Sequence, residues 1–287
     1  MHRALGVLLM VAFGTSVQAG SSESGAAPTY TSGSIVNWAT SRTGPFAPNS
    51  IVTIYGADLA WSEEALGAQS TAAGSLPVEL AYSRVLLMNG KTGTPVPLYY
   101  AGPKQVNLLL PDSMDPGDID LCVVRQGVYG PIVRIKVDEV APALLQRDSE
   151  WVRATHADGR EITREAPARP GEVVVLYATG LGHPAVKLKN GEIPSLSFGL
   201  TALTIARRKE LRVLVAGEAV EAGRILYAGL TPGIAGLYQV NVQLPDAASA
   251  DPEIRLALGE SLSPEGLKLP LQPAVSGATF PREPAFN

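Results

Sequence analysis

Two histidines, His156 and His183, are the side chains best suited to activate a nucleophile for hydrolysis. Such chemistry needs a Ser or Cys within reach of a His that a carboxylate orients. His156 lies just before the predicted turn Asp158-Gly159, and His183 follows a predicted strand. The sequence contains no Gly-x-Ser-x-Gly elbow. We therefore predict that both histidines lie on surface loops and that the chain is not an enzyme.

Cys122 is the only cysteine, so the chain cannot form an internal disulfide. It lies in the apolar run of residues 121–124, which favours a buried, inert thiol over a nucleophile. An alternative hypothesis is a hydrolase with its site at a domain junction around residues 147–164, which requires His156 or His183 to approach a Ser and a carboxylate.

Residues 112–120 are the best candidate for binding a cation, because they hold four aspartates. Carboxylate oxygens are the ligands that Ca²⁺ prefers. The second half of the chain keeps fewer acids at the matching place, residues 246–251. We predict a solvated acidic turn, with calcium binding as the alternative. Zinc motifs and phosphate-binding loops are absent from the sequence, so no metal or cofactor is predicted.

The tripeptide Gln-Val-Asn occurs twice, with Gln105 and Asn107 in one copy and Gln239 and Asn241 in the other. Amides on the outer face of a strand can bind peptide or sugar hydroxyls, or they can hydrogen-bond within the protein and fix the sandwich edge. We favour the structural interpretation. Five tyrosines in apolar runs could form a carbohydrate platform, but their positions favour core or rim packing. They are Tyr55, Tyr100, Tyr177, Tyr227 and Tyr238.

These residues belong to an internal repeat. Residues 47–60 match residues 169–182, and residues 99–112 match residues 226–246 with an insertion. The insertion contains the loop 230–236. Two copies of one domain are therefore predicted.

Each copy shows short β-branched runs bounded by turn residues, about seven per copy, which predicts β-strands. The pattern predicts an all-β fold of two tandem immunoglobulin-like β-sandwich domains. We expect long loops at 62–73 and 187–203, and a closing hairpin in each copy. In the second copy its strands are residues 253–258 and 266–271.

The ends of the chain have a different composition. Residues 1–19 have the basic start, apolar stretch and small residues of a signal peptide. Residues 20–32 are predicted to be a flexible leader, 33–140 the first repeat, 141–275 the second, and 276–287 a loose tail. The formal net charge of −4 disfavours nucleic acid as a partner, and no later segment is long and apolar enough to predict a stable membrane span.

The repeat motifs resemble the uncharacterised C-terminal domain family of the Solibacter type, found in secreted acidobacterial proteins. The residues that carry the resemblance are 35–40, 47–59, 167–182 and 227–245. The openings are also similar to transcription-factor-type immunoglobulin-like domains, which act as interaction modules. The resemblance implies export and an immunoglobulin-like fold. It implies no catalytic residues, because the family has no assigned activity.

These observations favour a secreted or periplasmic, non-catalytic module for protein interaction or spacing, with an unknown protein or glycan at the cell surface as partner. The alternatives are a carbohydrate-binding module and the junction hydrolase. Exposed loops are the expected contact sites. The candidate residues are Glu63, Glu64, Leu230, Thr231, Pro232, Gly233 and Ile234.

Overall fold

The computed structural model describes residues 25–67, 74–195, 197, 199 and 203–273. The predicted signal peptide and the tail 276–287 lie outside these residues, as do residues 68–73 of the first candidate loop. Within the described ranges the chain is all-β and contains no α-helix.

The N-terminal half, residues 30–137, contains two five-stranded antiparallel sheets. Its strands are β1 Ile35–Asn37, β2 Ile51–Tyr55, β3 Glu64–Ala65, β4 Ser83–Asn89, β5 Thr92–Pro95, β6 Leu98–Gly102, β7 Gln105–Leu109, β8 Gly117–Arg125, β9 Val128–Tyr129 and β10 Val133–Val137. One sheet has the order β1-β2-β7-β6-β3, and the other β10-β8-β4-β5 with β9 beside β8. Their inner faces enclose one hydrophobic core, with Ile54, Leu98 and Leu121 fully buried.

The C-terminal half, residues 140–271, repeats this arrangement around a second core. Its strands are β11 Ala143–Leu144, β12 Ala154–His156, β13 Val173–Thr179, β14 Leu211–Val215, β15 Glu218–Ala219, β16 Ile225–Leu230, β17 Tyr238–Gln243, β18 Ile254–Leu258 and β19 Ser261–Leu262. One sheet has the order β11-β13-β17-β16 with β12 beside β13, and the other β15-β14-β18-β19. The prediction of an all-β protein built from β-sandwiches is confirmed. The exact domain boundaries stay a prediction.

The sequence pattern explains these strands well. In β17 the residues alternate between buried apolar side chains and half-buried amides, as expected for a strand with one face on a core. The central strands of the repeat correspond: β2, β7 and β6 are neighbours in the first half, as β13, β17 and β16 are in the second.

Two predicted segments differ from the structure. Residues 266–271 do not form the closing strand of the second half. They make isolated bridges, including Lys268 with Trp151 and Leu271 with Ala168, and β19 pairs with β18 instead. Pro264 and Pro270 lie in or beside this segment, and a proline cannot donate to a strand ladder.

The predicted flexible leader is also wrong for its described part, residues 25–32. Tyr30 is only 7% exposed and belongs to the core of the N-terminal half. Its hydroxyl donates to the carbonyl of Pro131 (2.5 Å) and accepts the amide of Val123 (2.7 Å). These bonds fix the segment against the sheet, because a buried phenol needs its partners.

Candidate functional site

The loop 230–236 lies at the contact between the two halves, which we call the junction. Its predicted contact residues are buried (Leu230, Thr231), half-buried (Pro232, Ile234) or exposed (Gly233). Tyr99, in the N-terminal half, donates from its hydroxyl to the carbonyl of Ala235 (2.6 Å). The loop therefore contacts its own chain, and little more than its tip remains available to a partner.

The backbone of this loop comes very close to the N-terminal half at Gly236. This residue has φ +72°, and a Cβ on it would lie 2.4 Å from Cδ1 of Leu109 and 3.0 Å from the carbonyl oxygen of Asn49. Only glycine fits both the backbone conformation and the space.

Residues 187–195 also pack at the junction. The amide of Leu76 donates to the carbonyl of Gly191 (2.8 Å), and the amide of Ile193 donates to the carbonyl of Gly74 (2.9 Å). A hydrophobic cluster with members from both halves lies beside these bonds. Its buried residues are Ile51, Leu76, Tyr99, Leu109, Ile193 and Ala235.

Trp38 links this cluster to a second one. It packs, half-buried, against both. The buried residues of the second cluster are Ala39, Leu145, Tyr177 and Leu237. Strands β2 and β13 each pack one face against the core of their own sandwich. The other face of each strand is partly covered by the opposite half.

The repeated amides hydrogen-bond along their own strands. Gln105 Nε2 donates to Asn107 Oδ1 (2.8 Å), and Thr53 Oγ1 donates to the same oxygen (3.0 Å). In the second copy Gln239 Nε2 donates to Asn241 Oδ1 (3.2 Å). This shared pattern gives a structural reason for the repeat. A role for these half-buried amides in partner binding stays a prediction.

Tyr100 and Tyr227 occupy matching positions in the two copies, and each side chain packs over a glycine. A Cβ on Gly102 would be 2.5 Å from the hydroxyl of Tyr100, and a Cβ on Gly229 would be 2.5 Å from that of Tyr227. Tyr227 donates to the carbonyl of Leu230 (2.9 Å), and burial raises its pKa to about 12. Burial, with Glu63 as a smaller cause, raises the pKa of Tyr100.

His156 is buried in β12 rather than on a surface loop, so its predicted position is wrong. Its Nδ1 lies 2.5 Å from Oε1 of Glu172, and its Nε2 lies 3.2 Å from the carbonyl oxygen of Ala166. Each ring nitrogen therefore lies within hydrogen-bond distance of an acceptor oxygen. The ring fastens the loop after β12 to the start of β13.

His183 lies at the junction, where its Nδ1 is 3.0 Å from Oδ1 of Asp112. In the part of the chain that the structure describes, neither His156 nor His183 hydrogen-bonds a serine hydroxyl or a thiol. The relay that a junction hydrolase needs is therefore not assembled among these residues.

Two aspartates of the acidic segment 112–120 contact two different side chains. Asp112 contacts His183, and Asp120 receives two bonds from Arg134 (2.8 and 3.0 Å). These bonds lower the pKa of the Asp120 carboxyl. No cluster of three or more His, Cys, Asp or Glu fit to hold a metal occurs among the described residues.

Cys122 is buried, as predicted, with 1% of its surface exposed. Burial raises the pKa of its thiol, which disfavours the reactive thiolate. The structure therefore supports packing as the role of this side chain.

A group of exposed rings was not predicted from the sequence. Trp61, Tyr82 and Tyr129 are 42%, 63% and 61% exposed, and we call them the aromatic cluster. They lie on three segments: the loop before β3, the turn before β4, and β9. All the exposed aromatic residues of the described chain, these three and Tyr55, are in the N-terminal half.

Hydrogen bonds hold the three segments together. Trp61 Nε1 donates to Oε1 of Gln126 (2.8 Å), and the Gln126 amide donates to the carbonyl of Tyr82 (2.8 Å). Glu64 Oε2 accepts the amide of Ala81 (2.5 Å), and so joins the predicted contact residues Glu63 and Glu64 to this surface. Tyr129 is on the same hairpin as Gln126, paired with Val124.

A buried guanidinium supports the Trp61 ring. The central carbon of Arg125 lies 3.8 Å from the ring centroid, and Arg125 itself is 1% exposed. Its charge is offset by Asp58 Oδ1 at 3.3 Å and by a bond from its Nη2 to the carbonyl of Ala26. Arg125 covers one face of the indole, and 42% of the Trp61 surface remains exposed.

Within the described ranges, no helix has the length and apolar character needed to span a bilayer.

No protein-family model matches the chain, and no curated protein was found to match it. Among solved structures, the chain is similar to SGBP-B of the Bacteroides ovatus mixed-linkage glucan utilization locus, in complex with a mixed-linkage heptasaccharide. The identity is 9%, the TM-score is 0.31, and the match covers 85% of this chain and 45% of that one. The surface glycan-binding protein PbSGBP-B from Prevotella bryantii matches with 10% identity, a TM-score of 0.24, and coverage of 84% and 41%. The Escherichia coli adhesin FdeC matches with 11% identity, a TM-score of 0.23, and coverage of 86% and 66%.

The chain spans less than half the length of the first two of these proteins. At such TM-scores the likenesses support no conclusion about function.

Proposed function

We propose that this chain is an exported, non-catalytic β-sandwich protein that acts as a rigid interaction or spacer module at the cell envelope or outside it. The observation that carries the proposal is the junction, where both halves contribute to shared buried clusters. A hinge motion would separate the two halves and expose their buried apolar surface to water. The contacts at the junction therefore resist such a motion. A fixed pair of sandwiches can hold its surfaces at a constant distance and orientation.

The histidines and the cysteine support a role without catalysis. His156 and His183 each pair with a carboxylate, and Cys122 is buried with a raised pKa. These groups stabilise the fold in the structure, which disfavours the junction-hydrolase alternative. Membership of the Solibacter-type family remains part of this proposal and rests on the sequence motifs at residues 35–40, 47–59, 167–182 and 227–245.

The carbohydrate-binding alternative, as a platform of the five tyrosines in apolar runs, is disfavoured. Tyr177 and Tyr238 are buried, and Tyr100 and Tyr227 are half-buried over glycines. Of the five rings in that hypothesis Tyr55 alone is exposed, so the five do not form one exposed platform. A different set of rings, the aromatic cluster, keeps the alternative open.

Calorimetry of residues 20–287 tests the rigid module. Coupled halves are expected to unfold in one cooperative transition. The double variant Tyr99→Phe/Tyr238→Phe removes two hydroxyls that bond across the junction, and is expected to broaden or split that transition. Two independent transitions in the unaltered protein would contradict the proposal, as would hydrolysis of a broad panel of ester and glycoside substrates.

A further inference from the structure

Two turns beside the aromatic cluster have an unusual backbone conformation, and one of them contains Tyr82. Ala81 and Tyr82 have φ +46° and +59°, and Gln126 has φ +48° before Gly127 at +82°. Two-residue hairpin turns with both central φ values positive usually have Asn-Gly or Asp-Gly. A tyrosine at such a position costs local stability, and such departures concentrate at binding surfaces. Tyr82 is 63% exposed here, and its backbone carbonyl accepts the amide of Gln126.

The charge around the cluster limits the class of ligand. The three segments, residues 58–64, 79–84 and 125–129, contain four carboxylates and two arginines. Arg84 pairs with Glu79, and Arg125 is buried with Asp58 as its partner. The exposed surface is therefore neutral to acidic, which disfavours phosphate, nucleic acid and uronic-acid polymers.

The remaining chemistry suits an uncharged, hydroxyl-rich chain. Aromatic faces pack against the apolar C–H faces of sugar rings, while amide and carboxylate oxygens accept hydroxyl protons. The exposed rings of Trp61 and Tyr82, on segments joined through Gln126, supply such faces. Tyr129 supplies another on the side of the β8–β9 hairpin away from Arg125. Glu63, exposed two residues after Trp61, hydrogen-bonds Tyr100 and has a second carboxylate oxygen that can accept a further bond.

We propose that the aromatic cluster of the N-terminal half is a binding surface for a neutral polysaccharide. The proposal rests on the non-catalytic role proposed above and names its partner class. Since the Trp61 ring is supported by Arg125 and hydrogen-bonded to Gln126, it is held in place before any ligand arrives. A surface held in place loses less conformational entropy on binding.

Affinity electrophoresis of the full chain tests this site. The gels contain arabinoxylan, galactomannan or hydroxyethyl cellulose, and polygalacturonate serves as the anionic comparison. Retardation by at least one neutral polymer is expected, with weaker retardation by polygalacturonate. No retardation by any neutral polymer, or stronger binding to the anionic one, would overturn the assignment.

Two substitutions each replace an aromatic ring with a residue that fits the local backbone conformation. Tyr82→Asn suits the left-handed turn, and Tyr129→Thr suits the strand. Each is expected to weaken binding about tenfold, the usual loss for an important contact residue. Leu226→Ala is the matched control, because Leu226 is 57% exposed in the C-terminal half. If Tyr82→Asn and Tyr129→Thr bind as well as Leu226→Ala does, the site lies elsewhere.

Release of reducing sugar in the same samples separates the two proposals. Binding without release supports both, and release of sugar would overturn the non-catalytic role. Absence of binding would overturn the polysaccharide site and leave the rigid module in place.

Discussion

The side-chain amide of Asn49 donates a hydrogen bond to the phenol oxygen of Tyr238 across the junction, with 2.9 Å between Nδ2 and Oη. The hydroxyl of Tyr238 in turn donates to the carbonyl of Gly182. Asn49 and Tyr238 are 2% and 0% exposed, so water cannot replace either partner. This relay ties the entry to β2, the start of β17 and the loop after β13 to one another.

Replacement of Tyr238 by Phe removes the relay without changing the ring. The amide of Asn49 and the carbonyl of Gly182 each lose a partner, and a buried polar group left unpaired costs about 1–3 kcal/mol. We expect a loss of this size in the free energy of unfolding, measured in urea. Tyr129→Phe is the control, with an expected change of about 0.5 kcal/mol or less, because its ring is exposed. Equal losses in the two variants would show that the relay is not stabilising.

Gly236→Ala tests the close approach at the junction. The new methyl group would meet Leu109 and Asn49, and the φ of +72° opposes any L side chain. A loss of about 2–4 kcal/mol is expected from backbone strain and overpacking. Gly233→Ala shares the positive φ (+88°) but meets nothing within 4 Å, so its expected loss is only about 1 kcal/mol. Thermal unfolding of both variants distinguishes the cost of overpacking from the cost of backbone strain. Equal unfolding temperatures for the two variants would contradict the prediction.

Alkaline pH is expected to destabilise the protein through its buried tyrosines. Burial raises the pKa of Tyr30, Tyr99 and Tyr238, and raises that of Tyr227 to about 12. In the unfolded chain these phenols titrate near pH ~10, so above that pH the unfolded state holds fewer protons. The stability they contribute is therefore complete below about pH 10 and is lost as the pH rises through the folded values.

Urea unfolding at several pH values checks this dependence. The free energy of unfolding should fall steadily above about pH 10, and tyrosinate absorbance from these four residues should appear only with unfolding. A native protein that releases all nine tyrosine protons without loss of structure would contradict the burial argument.

The two histidines should differ in their effects on stability. His156 is 8% exposed and contacts two acceptors, so His156→Ala is expected to cost about 2–4 kcal/mol. The side chain of His183 is 41% exposed, and its pair with Asp112 is expected to contribute about 1 kcal/mol or less. Urea unfolding of both alanine variants measures the difference. A larger loss at His183 would overturn this ranking.

The strands of the repeat could be predicted because their signal is local. The alternation in residues 238–243 places the apolar side chains on one face, and the core lies on that face. Residues 266–271 have a similar apolar content, but their partners are residues such as Trp151 and Ala168, far away in the sequence. Local pattern alone could not show that these contacts would be isolated bridges.

The candidate site could be predicted less well, because exposure depends on tertiary packing. The loop 230–236 has the glycines and proline of a surface loop, yet most of it is buried, partly in the core of its own half and partly against Tyr99 of the opposite half. The aromatic cluster comes from three segments that have no shared motif. A usable signal was that Trp61, Tyr82 and Tyr129 all lie outside the motifs shared by the two copies.

The shared hydrophobic clusters of the junction also bear on solubility. Each half contributes apolar residues, such as Leu109 on one side and Leu237 on the other, that the opposite half keeps from water. A half produced alone would expose this surface, and exposed apolar patches promote self-association. Each copy of the sandwich thus covers an apolar surface of the other copy and helps to keep it soluble.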